Sequence, residues 1–244
     1  MVWLYAERSP LRNASGGISS SVELAPRDAT TLNNLGAIHF KRNEWAAARA
    51  MFQQAFHIRP DCESCNNVAT ALYFDRKYDE SAHYFEYAIQ YCDTNDCRTF
   101  GNLASALYWT DGGRNRADAV YRRAIGKALA GLGRKPGDPE LTSFLIDYYV
   151  MSDDTAGAQT TIAHASNKAL ENPRVLYSIG SAYEKMGRRE LALRYLASAV
   201  HRGFTLSVVE QAPVLADLVK DPMFDEVVRK AAADAGATAA TDKH

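Results

Sequence analysis

The sequence has no long apolar run. No stretch approaches the roughly 18 consecutive apolar residues that a membrane span requires. Near the start, Glu7 stands where a secretory signal needs apolar residues. We therefore expect a soluble, unprocessed chain that does not insert into a membrane, and the cytoplasm as its compartment.

Charge of neither sign is in excess. The 28 basic and 29 acidic residues leave a formal net charge of -1, and nowhere do five like charges follow one another. Because neutralising nucleic-acid phosphates requires a basic stripe, nucleic acid is not an expected partner. Apolar residues make up 47% of the chain, which is enough for a sizeable core.

The motifs of common catalytic sites are also absent. The sequence contains no GxxxxGK[ST] loop, no GxSxG, no HExxH, and no GxGxxG after a strand. His201, Arg202 and Gly203 superficially resemble a kinase catalytic loop, but Gly203 stands where an aspartate would accept the proton. We therefore expect no enzymatic activity and no cofactor.

What the sequence does contain is a repeated pattern of small and large residues, displaced by 33 residues from Phe52 to Phe85 and from Ala55 to Ala88. The first copy starts at Ala29 and has Leu35, Gly36, His39, Ala48, Phe52, Ala55 and Pro60 at offsets 7, 8, 11, 20, 24, 27 and 32. Five copies carry a large residue at offset 24, with one residue added in the third: Phe52, Phe85, Tyr121, Ile162 and Leu196. Over residues 29–204 the chain resembles the tetratricopeptide repeat (TPR) family.

This resemblance implies an all-α fold, a right-handed superhelical solenoid of about five hairpins, each with an A helix and a B helix. The repeats are expected at 29–61, 62–96, 97–137, 138–172 and 173–204. Residues 1–28 fit a partial or degenerate repeat half, whose bare end is a candidate surface for oligomerisation. We expect capping helices over 205–236 and a disordered tail over 237–244.

The family resemblance further implies a non-enzymatic scaffold that binds an extended peptide or partner segment in the concave groove. A second, less specific resemblance gives an alternative. Gly203, Asp221, Pro222 and Phe224 resemble the segment that closes the repeat arms of certain bacterial serine/threonine kinases and winged-helix transcriptional regulators. The chain would then be the sensory or docking arm of a larger signalling protein, with the catalytic or DNA-binding domain outside this sequence.

Asparagines recur at the groove positions of the first three A helices. Asn34, Asn67 and Asn102 resemble the asparagine ladder of the O-linked N-acetylglucosamine transferase superhelix, where amides hold an extended peptide backbone. An amide donates and accepts at once, which suits a strand-like ligand of any sequence. Asn33 and Asn66 precede two of these residues. The alternative is that the amides only cap or bridge neighbouring helices.

Aromatic residues follow near the ends of the same helices: Phe40, Tyr73, Phe74, Tyr108 and Trp109. In a groove they would supply apolar contact with the ligand, and otherwise they would form core between repeats. Phe144 replaces the asparagine in the fourth copy, so the amide track should end near residue 109. Gly101 and Ser105 stand where the carboxylate-clamp subclass has basic residues, so that subclass is not expected.

The four cysteines form two pairs in sequence, Cys62 with Cys65 and Cys92 with Cys97. In a hairpin array all four would lie at the same end of the stack. Four thiolates there could bind zinc, although the spacing matches no known finger or ribbon. Two disulfides would instead indicate an oxidising compartment and an extracytoplasmic arm of a membrane-anchored protein. The third alternative is four unrelated thiols used as small packing residues.

Overall fold

A computed structural model describes residues 28–92 and 96–241, with side chains up to residue 235. All regular secondary structure within these ranges is helical. The chain divides into two compact units, which meet in sequence between Ala124 and Ile125. The predicted repeat half at 1–28 and the oligomerisation surface on it lie outside the described residues, except for Asp28.

In the described part of the first unit there are five complete helices, and a sixth begins there and crosses into the second unit. They are α1 (Ala29–Lys41), α2 (Trp45–Ile58), α3 (Cys62–Phe74), α4 (Tyr78–Tyr91), α5 (Cys97–Tyr108) and α6 (Arg114–Arg134). Each helix from α1 to α4 packs on the next, and α1 also contacts α3, as α3 contacts α5. Helices α1, α3 and α5 are the A helices of this unit.

The second unit continues with α7 (Pro139–Met151), α8 (Thr155–Ala163), α9 (Asn167–Leu170), α10 (Pro173–Lys185), α11 (Arg189–His201) and α12 (Leu206–Glu210). A closing segment follows: a 3-10 turn (Pro213–Leu215), α13 (Pro222–Phe224), a π turn (Asp225–Arg229) and α14 (Lys230–Thr241). The main pairs are α7 with α8, α10 with α7 and α11, and α11 with α14. The prediction of an all-α chain of consecutive hairpins is confirmed.

Every A helix, including α7 and α10 of the second unit, begins after an acidic or amide residue that caps its N-terminus. The capping residues are Asp28, Asp61, Asp96, Asp138 and Asn172. Asp28, for example, accepts a hydrogen bond from the Thr31 backbone N–H at 2.8 Å, and this bond holds the pKa of the carboxyl below its ordinary value. Because a cap satisfies an otherwise unpaired N–H, it fixes where each hairpin starts.

Small residues allow each B helix to approach its A helix. A Cβ added at Gly36 would lie 2.5 Å from Cε1 of Phe52, and one added at Gly180 would lie 2.7 Å from Cγ of Leu196. Phe52 and Leu196 are both fully buried. The offsets that identify the repeat in the sequence are therefore positions of close helix packing.

The structure adds one detail to the fourth hairpin and departs from the sequence-based expectation at the C-terminal tail. The fourth hairpin has a short B helix, α8, which ends at Ala163 and is followed by the four-residue helix α9. The sequence predicts a disordered tail from residue 237, but α14 continues through Thr241. Its alanine-rich sequence, KAAADAGATAAT, explains this difference, because alanine has the highest helix propensity.

Candidate functional site

The asparagines of the first unit lie on the three neighbouring A helices. Asn33, Asn66, Asn67 and Asn102 are buried, whereas Asn34 is only partly buried. The predicted row of equivalent amides at Asn34, Asn67 and Asn102 is therefore not uniform in exposure. Sequence spacing assigns a residue to an offset but does not give its burial: on α1 only Asn33 is buried, whereas on α3 both Asn66 and Asn67 are.

Two of these amides have no hydrogen-bond partner among the residues that the structure describes. Both side-chain polar atoms of Asn33 and both of Asn67 are buried and unpartnered, at 3% and 0% residue exposure. Asn66 differs, because its Nδ2 donates to the backbone oxygen of Cys62 at 2.7 Å, while its Oδ1 has no partner. A buried amide without a partner is costly, so the first unit holds unused donors and acceptors on α1 and α3.

The aromatic residues form one chain of ring contacts rather than separate anchors. Trp45, Phe40, Phe74, Tyr73, Tyr78, Trp109 and Tyr108 follow one another with centroid separations between 4.9 and 6.1 Å. Arg114 ends the chain, with its guanidinium 5.1 Å from the Tyr108 ring centroid. Of these seven aromatic residues, Trp109 alone is exposed, with 43% of its surface accessible.

Sequence reasoning missed three members of this chain: Trp45, Tyr78 and Arg114. All three stand at the first position of a B helix, and this recurrence was the available signal. Burial raises the pKa of Tyr73 to about 12, and the Trp109 indole, as a hydrogen-bond donor, opposes the rise. The predicted aromatic residues therefore mainly hold one another in place.

The four cysteines form one disulfide and leave two thiols. Cys62 and Cys92 are bonded, with their Cα atoms 6.0 Å apart, and join the start of α3 to the end of α4. Cys65 and Cys97 are buried and lie outside the bond. Burial raises the pKa of Cys65 to about 12, and its thiol donates to the backbone oxygen of Tyr84 at 3.2 Å. In the part of the chain that the structure describes, no three metal-ligating side chains come together.

The second unit carries a different set of polar groups at the equivalent A-helix positions, and sequence reasoning missed it. Arg174 on α10 pairs with Asp147 on α7, and both are largely buried. Tyr177, one turn along α10, stacks on Phe204 at 4.5 Å, and burial raises the pKa of Tyr177 to about 12. The hydroxyl of Ser178 is buried and has no hydrogen-bond partner within residues 28–92 and 96–235. Arg174, Tyr177 and Ser178 stand at offsets 2, 5 and 6 of the fifth copy, and these offsets were the available signal in the sequence.

The closing segment completes the second unit. Gly203 has a φ of 95°, which favours glycine. Asp221 caps α13 through the Met223 backbone N–H at 3.0 Å and pairs with Arg189 at 3.1 Å. Phe224 is fully buried. Among the described helices, none is long and apolar enough to cross a membrane.

Comparison with known proteins places these hairpins in a family. Two family models, both for the tetratricopeptide repeat, match residues 29–59 and 173–200. No curated protein matches the chain by sequence.

Several solved structures share the fold. A thermophilic TPR protein from Thermus thermophilus aligns with a TM-score of 0.58 at 16% identity, covering 72% of this chain and 91% of its own. PilW, a type IV pilus biogenesis factor, aligns with a TM-score of 0.53 at 17% identity, covering 85% and 90%. PilF of Pseudomonas aeruginosa aligns with a TM-score of 0.50 at 14% identity, covering 82% and 85%. At these identities the likeness concerns the fold alone, whereas the two family models show that the chain carries tetratricopeptide repeats at residues 29–59 and 173–200.

Proposed function

We propose that the chain is a non-catalytic scaffold that binds an extended segment of a partner protein along the A helices of the first unit. The repeat family is in general a protein-interaction fold, and this supports the coarse part of the proposal. The position of the site rests on one observation, the buried and unpartnered amides of Asn33 and Asn67.

These amides suit a main chain better than a charged or apolar ligand. Each can donate through Nδ2 and accept through Oδ1, and an extended backbone offers one N–H and one C=O at each residue. Leaving a buried polar group unsatisfied costs about 1–3 kcal/mol, so a ligand that pairs with it recovers part of that free energy. The amides should therefore bind backbone with little dependence on side-chain sequence.

Their burial also sets the kinetics of binding. A ligand reaches these amides only after the surrounding groups move, because both residues are almost inaccessible in the structure. Association that requires such a rearrangement is slower than docking to an open surface. We expect a slow association step and modest affinity, since an extended ligand also loses conformational entropy.

The proposal is tested by a pull-down from source lysate with wild type and the variant Asn33→Leu/Asn67→Leu. Leucine keeps nearly the same shape but cannot form hydrogen bonds. Asn167→Ala serves as a control, because Asn167 is an exposed asparagine on α9. Proteins retained by wild type and the control but lost with the double variant would support the amide site. Proteins retained by all three would place binding elsewhere.

The disulfide supports a second part of the proposal, an oxidising compartment. Disulfides persist where thiols are not kept reduced, so the bond between Cys62 and Cys92 favours an extracytoplasmic location over the cytoplasm. Alkylating thiols during cell lysis, followed by mass spectrometry, tests this part. Modification of Cys62 and Cys92 before any reductant is added would contradict it.

The arm of a larger signalling protein stays a second candidate. The packing of the closing segment favours it. Asp221 pairs with Arg189 of the second unit and Phe224 is fully buried, as expected for the segment that closes such a repeat arm. Mapping the transcript in the source organism would test it: a reading frame joining this array to a kinase or DNA-binding domain is the expected result. A transcript that encodes the array alone would contradict it.

A further inference from the structure

An open cavity of about 220 Å³ lies in the first unit, where the turn between α3 and α4 faces the turn between α5 and α6. Its aromatic residues are Tyr78 and Trp109, and Arg76, Asp79 and Asp111 also line it. The volume is suited to one long side chain and not to a folded element. The cavity is separate from the unpartnered amides of Asn33 and Asn67, so its function does not depend on theirs.

The aromatic wall is supported by ring contacts and is partly exposed. Tyr78 stacks against Trp109 with an interplanar angle of 28° and a centroid separation of 6.1 Å, and Tyr108 supports the indole from its edge at 5.2 Å. Despite this support, 43% of Trp109 is exposed. A tryptophan held in one orientation loses little entropy when a ligand covers it, and such residues often dominate binding energy.

The charges in the cavity favour a cation. Lys77 pairs with Glu80 at 3.6 Å, so these two charges largely cancel. The remaining charged groups are the carboxylates of Asp79 and Asp111 and the guanidinium of Arg76, an excess of one negative charge. Both aspartates are exposed, and neither has an ion pair among the described residues. A cation over the face of tryptophan is further stabilised by the ring.

We propose that this cavity binds an arginine side chain of a partner protein. The guanidinium lies on the exposed face of Trp109, and Asp79 and Asp111 accept its hydrogen bonds. A guanidinium is planar, weakly hydrated and able to donate to two carboxylates at once, whereas the ammonium of lysine is compact and strongly hydrated. The site therefore selects arginine over lysine, and it sets which residue of the partner lies at this end of the first unit.

The test uses ¹⁵N-labelled full-length chain and follows the indole N–H signal of Trp109, assigned by its loss in Trp109→Leu. The probes are N-acetyl-arginine methylamide, its lysine counterpart, and N-acetyl-citrulline methylamide, which has nearly the shape of arginine without the charge. We expect the arginine probe to shift the Trp109 signal with a millimolar Kd, the lysine probe to bind more weakly, and the citrulline probe to leave the signal unchanged.

Charge variants complete the test. Asp79→Asn/Asp111→Asn should weaken the arginine probe about fivefold, because both changes lie on the surface and remove only the carboxylate charge. Asp118→Asn is the matched control in the same unit, since Asp118 does not line the cavity, and it should leave the Kd unchanged. Equal shifts with arginine and citrulline, full binding in the double variant, or no shift of Trp109 would each overturn the proposal.

Discussion

The two units use similar helix pairs but carry different polar groups at offsets 2, 5 and 6 of their A helices. In the second unit, Arg174 and Asp147 form an ion pair. In the described part of the first unit, the amides of Asn33 and Asn67 have no partner. The same repeat geometry therefore supports two kinds of polar position. Paired groups contribute to the stability of the fold, and unpaired ones are the places where an external ligand can add a bond.

The largest expected difference between the units comes from the disulfide. The bond joins residues separated by 30 positions in the first unit, so opening it releases a long loop in the unfolded chain. We expect reduction, or Cys62→Ala/Cys92→Ala, to lower the free energy of unfolding of the first unit by about 3–4 kcal/mol. Urea unfolding followed by hydrogen exchange resolves the units. An equal loss of protection in the second unit would contradict a local effect.

Breaking the ion pair should affect the second unit instead. Asp147→Ala leaves the guanidinium of Arg174 largely buried without its carboxylate, and we expect a loss of about 3 kcal/mol. Arg229→Ala provides the control, because its contacts with Glu210 and Asp225 are exposed and should matter little. The same urea titration measures both variants. Similar small losses in the two would show that the Arg174–Asp147 pair contributes no more than a surface pair.

Substituting one glycine in each unit compares how tightly the two units are packed. In the first unit, an added Cβ at Gly36 meets the fully buried ring of Phe52 at 2.5 Å. In the second, an added Cβ at Gly157 meets Tyr149 at 2.4 Å, but this ring is only partly buried and can move towards solvent. We expect Gly36→Ala to cost about 2 kcal/mol and Gly157→Ala almost nothing, as measured by thermal unfolding. Equal costs would show that ring exposure does not govern the response.

The smallest effect concerns the asparagines, and it has opposite signs in the two units. Asn33→Leu/Asn67→Leu removes polar atoms that have no partner, so we expect a gain of up to about 1 kcal/mol. Asn172→Ala removes a cap that accepts from the Arg174 backbone N–H at 2.9 Å, so we expect a loss of about 1 kcal/mol. Calorimetry on the free proteins measures both. Destabilisation by the leucine variant would mean that the amides serve the fold.

Much of the fold follows from the sequence, because the repeat offsets mark tight packing. Phe52, Phe85, Tyr121 and Leu196, identified by their offsets alone, are all fully buried. The helix caps were also readable, since an Asp or Asn precedes each A helix. These features are local or periodic, and a single sequence displays both.

The site was less predictable, because it depends on distances between residues far apart in sequence. Four cysteines allow several pairings, and only the folded hairpins show that Cys62 meets Cys92 while Cys65 stays a thiol. That Asn33 is buried and Asn34 only partly so depends on what packs against α1, which the repeat offsets do not give. No sequence motif predicts that Arg174 pairs with Asp147.

The disulfide also changes how the chain would respond to a pulling force. The residues between Cys62 and Cys92 form a covalent ring that includes nearly all of α3 and α4. Tension applied at the two ends of the chain is carried by the disulfide bond, so the residues between Cys62 and Cys92 are not stretched. At about 3.5 Å per residue, the oxidised chain is roughly 100 Å shorter at full extension than the reduced chain. The second hairpin thus sets a redox-dependent limit on the reach of the whole protein.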